Sequence, residues 1–450
     1  MPSEPDTPSV ADAIRLAAPA SLAAMATPLL GLVDVWALGQ SSRPLDIAAV
    51  GLGAVIFSLT YWTFGFIRMG VAGLAAQAVG AEDEAQTRAV LGRGLILGGA
   101  LGLALVLLQW PLERAAFALL SIESEASEAT FAGAATYFRI RIWGAPVAVA
   151  TYALFGWLTA RGRTDYLMAA SLSMTAVNIA LDYWLVVELD RGAAGVALGT
   201  LIAEIVGFAV AAALTARLLG ESGGIRAHWG GEALLDPDGL RRTVAVNRDI
   251  FIRTLLLAAS FAWFTQRGGG FGDVTLAANQ ALLQLFLFTG LALDGTAIAA
   301  ETMVGQALGD RDQARGQRRL DGALRATSLP AAALAVVFAL VYAVFGADIA
   351  ALLTDDGPIR ATAARYMPWV AVSPLVLVGA FQLDGIFIGA TRAREMRNGM
   401  IVSTGFLIPA SILLADAYGN HGLWAAFTLY FALRGLTLAV FLPRVRALAS

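Results

Sequence analysis

Twelve long apolar stretches, separated by short polar punctuation, organise the chain at roughly 12–38, 46–79, 89–110, 131–160, 166–187, 193–216, 246–266, 275–308, 322–346, 362–390, 398–416 and 421–442. A helix needs about 20 residues to cross the hydrocarbon of a bilayer, and each stretch approaches or exceeds that length. The second and eighth are long enough to project beyond it. A transmembrane β-barrel would instead show short alternating segments. The pattern predicts an all-α membrane protein of twelve transmembrane helices. Residues 1–11 are polar, acidic and proline-rich, without the basic start and apolar core of a signal peptide, and read as a disordered tail.

Composition agrees with the pattern. Of 450 residues, 58% are hydrophobic and only 14% charged, whereas a water-soluble domain carries about 25% charged residues. There is no cysteine, which excludes disulfides and thiol chemistry. All 31 basic residues other than histidine are arginine, so no Walker-type phosphate loop and no lysine Schiff base can form. A net charge of −3 gives no reason to expect a nucleic-acid partner.

The arginines also orient the chain. Those at one set of loop ends, among them Arg88, Arg161, Arg241, Arg315 and Arg392, far outnumber Arg43, Arg114, Arg191, Arg267 and Arg360 on the other. By the positive-inside rule both termini are cytoplasmic, in a cell (plasma or inner) membrane. The longest connection, 217–245, divides the chain into lobes at 12–216 and 246–450. Sliding the sequence by 229 residues aligns Gln77 with Gln306, Gly80 with Gly309, Asp83 with Asp312 and Gly156 with Gly385. Such a repeat, with an even number of spans per copy, predicts two pseudo-symmetric six-helix lobes of one membrane orientation around a central cleft.

Polar residues inside apolar spans are expensive and mark candidate sites. Thr175, Asn178 and Asp182 fall three and four apart on one face of the fifth span, with Asp34 in the first and Thr200 and Glu204 in the sixth. Two carboxylates held together in a low dielectric resist ionising together, so such a pair can load and release a proton. With Asn178 and Thr200 oxygens added, the same set could ligate a hard cation such as Na⁺. Glu204 reads as a residue near a helix end or facing a partner, outside the set. The second half carries Arg253, Asp294, Glu301 and Asp384 as a possible charge network, with Asp294 and Glu301 nearly superposed on one helix face.

Trp36, Tyr61 and Phe155 with Arg68 are candidates for lining the substrate cleft. Pro19, Pro28, Pro146, Pro330, Pro374 and Pro409 are positioned to kink their helices. Gly94, Gly98 and Gly102 form a ribbon suited to close helix packing. His228 and His421 both fall in predicted loops and form no metal motif. The glycine-rich run 267–273 joins two spans and does not read as a phosphate cradle.

The runs LLGLVDVWALG, FGFIRMGVAGLAAQAVG, NIALDYWLVV, NRDIFIRTL, LALDGTAIAAETMVGQALGD and LDGIFIGATRAREM, in that order along the chain, together resemble the multidrug and toxic compound extrusion transporters, and more narrowly their DNA-damage-inducible branch. The resemblance implies a twelve-helix antiporter exporting organic, often cationic compounds in exchange for H⁺ or Na⁺. It also implies a cation site at Asp34, Asn178, Asp182 and Thr200, with no other metal and no cofactor. Tyr183 and Trp184 after the aspartate, and Phe155 in the fourth span, depart from many relatives and bear on the cargo contacts.

The expected function is therefore a monomeric, cation-coupled efflux antiporter in the lipid bilayer, with a small organic molecule as cargo. A lipid-linked oligosaccharide flippase of the same superfamily would need a strongly basic cleft. An intramembrane enzyme would need a nucleophile with a base, or a metal set, inside the spans. A channel fits the lobe repeat poorly. Under the 229-residue offset the counterpart of Asp182 is Ser411, which places the ion in the first lobe.

Overall fold

The computed structural model describes residues 7–40, 44–123, 127–222 and 231–449. Among them there is no strand, as an apolar solvent demands of a chain that must pair its backbone groups within each segment. Eleven of the described helical segments are long and apolar enough to cross a bilayer. They are α1 (Val10–Gly39), α2 (Leu45–Gly80), α3 (Glu84–Leu107), α4 (Glu128–Ala160), α5 (Thr164–Glu188), α6 (Gly192–Glu221), α8 (Asp273–Gly309), α9 (Gln313–Leu353), α10 (Gly357–Gly389), α11 (Ala393–Tyr418) and α12 (Asn420–Arg446). The remaining long helix, α7 (Pro237–Gly269), is less apolar because its first turns carry Arg241, Arg242, Arg248 and Asp249.

The chain forms two compact units: Met25–Ala75 with Glu84–Thr243, and Met1–Ala24 with Ala76–Asp83 and Val244–Ser450. The first thus holds most of the N-terminal half and the second most of the C-terminal half. α1 and α2 each contribute to both, a division the sequence boundary at 217–245 does not contain. That connection is itself substantially helical where described, through the end of α6, a short helix Gly231–Leu235 and the start of α7. His228 and Arg43 lie outside the described residues, as do residues 1–6 of the expected tail.

Three helices depart from regular geometry. α2 is broken at Gly65, where the Gly65 N–H donates to Trp62 O at 3.1 Å. α4 contains the 3₁₀ turn Ile142–Gly144, after which Pro146 sits at the start of the second segment, where a missing N–H costs nothing. α5 widens into a π-helical turn at Tyr183–Glu188, directly after Asp182. Pro330, Pro374 and Pro409 lie inside α9, α10 and α11.

The glycine ribbon of α3 is a packing surface. A Cβ on Gly94 would meet Val71 Cγ2 at 2.5 Å, one on Gly98 Ala150 Cα at 2.9 Å, and one on Gly102 the backbone of Pro146. Within this unit α3 therefore packs backbone to backbone on α4.

The repeat is visible in local geometry. At the end of α4 the chain turns through Gly162 (φ 70°), with Gly162 N–H donating to Thr159 O and Arg163 N–H to Leu158 O. At the end of α10 it turns through Thr391 (φ 54°), with Thr391 N–H donating to Ile388 O and Arg392 N–H to Phe387 O. Every pair in the two turns is separated by 229 residues. Gly156 lies against Arg68 O, and Gly385 against the corresponding Ala297 O. Gly80 likewise abuts Gln306 O while Gly309 abuts Gln77 O, a reciprocal contact between the ends of α2 and α8. Gly309→Ala is expected to lower stability by about 1–3 kcal/mol, since a methyl group there overlaps rigid backbone. A melting temperature in detergent unchanged from wild type would contradict that packing.

Candidate cation site in the N-terminal unit

Regular helix carries Asn178 and Asp182 to the same face of α5, and both are fully buried. Thr200 on α6 faces them: Asn178 Nδ2 donates to Thr200 Oγ1 at 3.4 Å, and Thr200 Oγ1 donates to Val196 O at 2.9 Å. Gly199 lets the acid approach α6, because a Cβ there would stand 2.6 Å from Asp182 Oδ1. Asp34 on α1 is 7% exposed, and its carboxyl neighbours those of Asp182 and the amide of Asn178. The structure therefore brings together the four residues Asp34, Asn178, Asp182 and Thr200. Thr175, on the same face, is buried and donates to Ser171 O at 3.1 Å.

The chemistry of this cluster lies in its acceptors. Asp34 Oδ1, Asn178 Oδ1 and both carboxylate oxygens of Asp182 are buried, and no hydrogen-bond donor among the described residues reaches them in bonding geometry. Buried carboxylate oxygens without donors are costly, and a proton shared between the two acids or a cation among the oxygens removes that cost. Among the described residues no group of three or more His, Cys, Asp or Glu could hold a metal ion. The oxygen set of two acids, one amide and one hydroxyl suits a hard monovalent cation or a proton.

One charge pair beside this cluster is absent from the sequence reading. Of the two readings of Glu204, the partner one holds and the helix-end one does not: it is 8% exposed in mid-α6, and its Oε1 accepts from Arg141 Nη2 at 3.1 Å. Arg141 also donates to Tyr137 Oη at 2.6 Å and lies 4.8 Å from the Phe57 ring centroid. Asp34 is among the groups that act on it electrostatically. The 3₁₀ turn makes room for the pair, since a Cβ on Gly144 would meet Glu204 Oε2 at 2.6 Å. The signal available in the sequence was two charges in otherwise apolar spans; their pairing across 63 residues is tertiary information. Arg141→Gln is expected to cost about 3–5 kcal/mol by leaving Glu204 buried and unpaired. Adding Glu204→Gln should recover part of that loss, and thermal unfolding of single and double variants measures both.

The other candidates are dispersed more widely. Tyr61 is half-buried with its ring edge-on to Phe57 at 5.5 Å, and Tyr152 Oη donates to Tyr61 O at 3.0 Å. Phe155 and Arg68 are half-buried, and Trp36 is 51% exposed. In the C-terminal unit Arg253 and Asp384 form a buried ion pair, and Arg434 of α12, not singled out in the sequence, grips the same Asp384 Oδ2. On α8, Asp294 is half-buried and Glu301 fully buried. His421 is not in a loop but in the first turn of α12, where its Nδ1 accepts from Trp369 Nε1 at 3.1 Å.

Comparison with known proteins adds to this geometry. The MatE family model matches residues 19–184 and again 250–415, one stretch in each half. DNA damage-inducible protein F of Escherichia coli K12 is 37% identical, with 94% of this chain and 90% of that protein covered. A probable multidrug resistance protein NorM of Pseudomonas aeruginosa is 28% identical over 97% of this chain and 90% of its own length. Among solved structures, the Vibrio cholerae MATE transporter VcmN in its bent form superposes with a TM-score of 0.84 at 19% identity, covering 97% of each chain. That likeness shows the fold.

Proposed function

Because the chain belongs to the MatE family of multi-pass membrane transporters, we propose that it is an efflux antiporter that exchanges a small organic, often cationic compound for a proton bound between Asp34 and Asp182. The chain is a transporter and not an enzyme, as its relatives are. The observation that carries the coupling is the set of buried, donor-less oxygens on Asp34, Asn178 and Asp182. Two ionised carboxylates in that setting repel each other and lack solvation, so the cluster favours taking up one positive charge.

The cycle follows from which state each ligand stabilises. With its carboxylates ionised the cluster attracts a cation; with one proton bound its charge falls from two negative to one, and the protonated acid can donate to the ionised one. Asp34 lies on α1, so loading changes what holds the second half of that helix against α5. Exchange requires that proton and cargo favour different conformers, since a ligand shifts an equilibrium only by its differential affinity for the two states. The bent form in which VcmN was solved is compatible with such an alternative course of the chain.

Sodium is the second reading, favoured by Asn178 Oδ1 and Thr200 Oγ1, which extend the carboxylate set to the oxygen ligands that ion needs. Ser411 is the counterpart of Asp182 in the repeat, and Asp384 is already held by two arginines. Both features support exchange at the N-terminal site. With the arginine-rich ends on the cytoplasmic side, the protein exports from the cytoplasm. The test is transport by Asp34→Asn in proteoliposomes. Loss of gradient-driven transport with cargo binding retained supports the proposal, and transport at the wild-type rate overturns it.

A further inference from the structure

In the C-terminal unit the buried charges around Asp384 do not balance. Arg253, Arg434 and Asp384 are 6%, 2% and 5% exposed, and two guanidiniums share the single carboxylate oxygen Asp384 Oδ2. The cluster therefore carries one more positive than negative charge in a buried setting. The Arg434 Cζ lies 5.6 Å from the ring centroids of both Phe381 and Phe431. Aromatic faces attract a cation but do not neutralise it. Tyr430 is a further neighbour of Arg253, and a neutral phenol leaves the count unchanged. Arg141 in the N-terminal unit, by contrast, has Glu204 as its own partner.

The donors point the same way. Arg253 Nε, Arg434 Nε and Arg434 Nη1 are buried with no hydrogen-bond acceptor among the described residues. An N–H left unpaired in a low dielectric is costly, the more so on a charged group. An anion supplies both the missing charge and the missing acceptors.

We propose that Arg253 and Arg434, anchored by Asp384, form a binding site for a monovalent anion in the C-terminal unit. A single negative charge completes the cluster; a divalent oxyanion would overcompensate it and surrender a larger hydration shell to the surrounding rings. Halides and carboxylates share the required chemistry, and guanidinium is the side chain best matched to carboxylate. The anion comes either from solution, as chloride, or from the acidic group of a zwitterionic cargo. The site uses none of the residues of the cation cluster.

The test uses the full chain purified in detergent. Radiolabelled chloride is expected to bind saturably to wild type, to be displaced by formate, and to lose saturable binding in Arg434→Gln. Asp384→Asn is the discriminating variant: removing the carboxylate charge that the two arginines share should tighten chloride on the order of tenfold, whereas a merely structural triad predicts no gain. If the anion is part of the cargo, wild type instead shows no chloride binding but transports a zwitterionic dye in preference to its methyl ester, and Arg434→Gln erases that preference. Absence of both saturable chloride binding and acid-over-ester preference in wild type overturns the proposal, and so does tighter binding by Arg434→Gln.

Discussion

Asp34→Asn and Asp182→Asn are each expected to lower gradient-driven transport by about 100-fold, and the double variant to be scarcely worse than either. Members of a group that acts as a unit show such non-additivity, because losing one already abolishes the shared task. The reason lies in the geometry. Both acids are buried, they neighbour one another, and Asp34 Oδ1 and both carboxylate oxygens of Asp182 have no donor among the described residues. Asparagine keeps the shape and the polarity but removes the exchangeable charge. Thr200→Val is the informative control: it deletes the acceptor of the Asn178 amide without touching either acid. Proton exchange should survive it in weakened form, whereas sodium exchange, which needs that oxygen as a ligand, should not. Initial rates of transport in proteoliposomes at fixed protein density measure all four variants.

The second large effect is on stability. Asp384→Ala leaves two buried guanidiniums facing each other without their shared carboxylate, and breaking a buried ion pair from one side costs about 3–5 kcal/mol. Replacing the whole triad by apolar residues (Arg253→Met, Arg434→Met, Asp384→Leu) should be far milder, since no buried charge then remains. Unfolding in detergent, followed through intrinsic tryptophan fluorescence, orders wild type, the triple variant and Asp384→Ala. A triple variant less stable than Asp384→Ala would show that the triad contributes through packing instead of charge.

How far the sequence carried this picture depends on the kind of signal involved. The spans were legible because membrane helices are long apolar runs, and Asp34, Asn178, Asp182 and Thr200 stood out because a polar group in such a run is costly. Their convergence on one cluster followed from helical spacing within α5 and from the family resemblance across α1, α5 and α6. Partner choice was not legible. Arg141 with Glu204, and Arg434 with Asp384, are contacts between helices far apart in the chain, and nothing in local spacing selects them. Glu204 was discounted for the same reason, its arginine being invisible from its own helix. α7 was expected at 246 and begins at Pro237, because its first turns are polar and an apolar pattern cannot report a helix that continues beyond the apolar run. The duplicated turn at Gly162 and Thr391 was also hidden: a glycine stands in one copy and a threonine in the other, though the backbone hydrogen bonds are the same. The π-turn after Asp182 has no sequence signature among the residues Tyr183 to Glu188, yet it sits next to the acid on which the proposed coupling rests.

The central claim is that one positive ion exchanged at the N-terminal cluster drives export. Its most direct measurement is dye transport by reconstituted protein under separately imposed pH and sodium gradients, with wild type and Asp34→Asn compared side by side. The account predicts transport by wild type under the pH gradient, with sodium as the driving ion only if the Thr200 oxygen is essential, and no gradient-driven transport by the variant. Dye extrusion by wild type that neither gradient accelerates would contradict it.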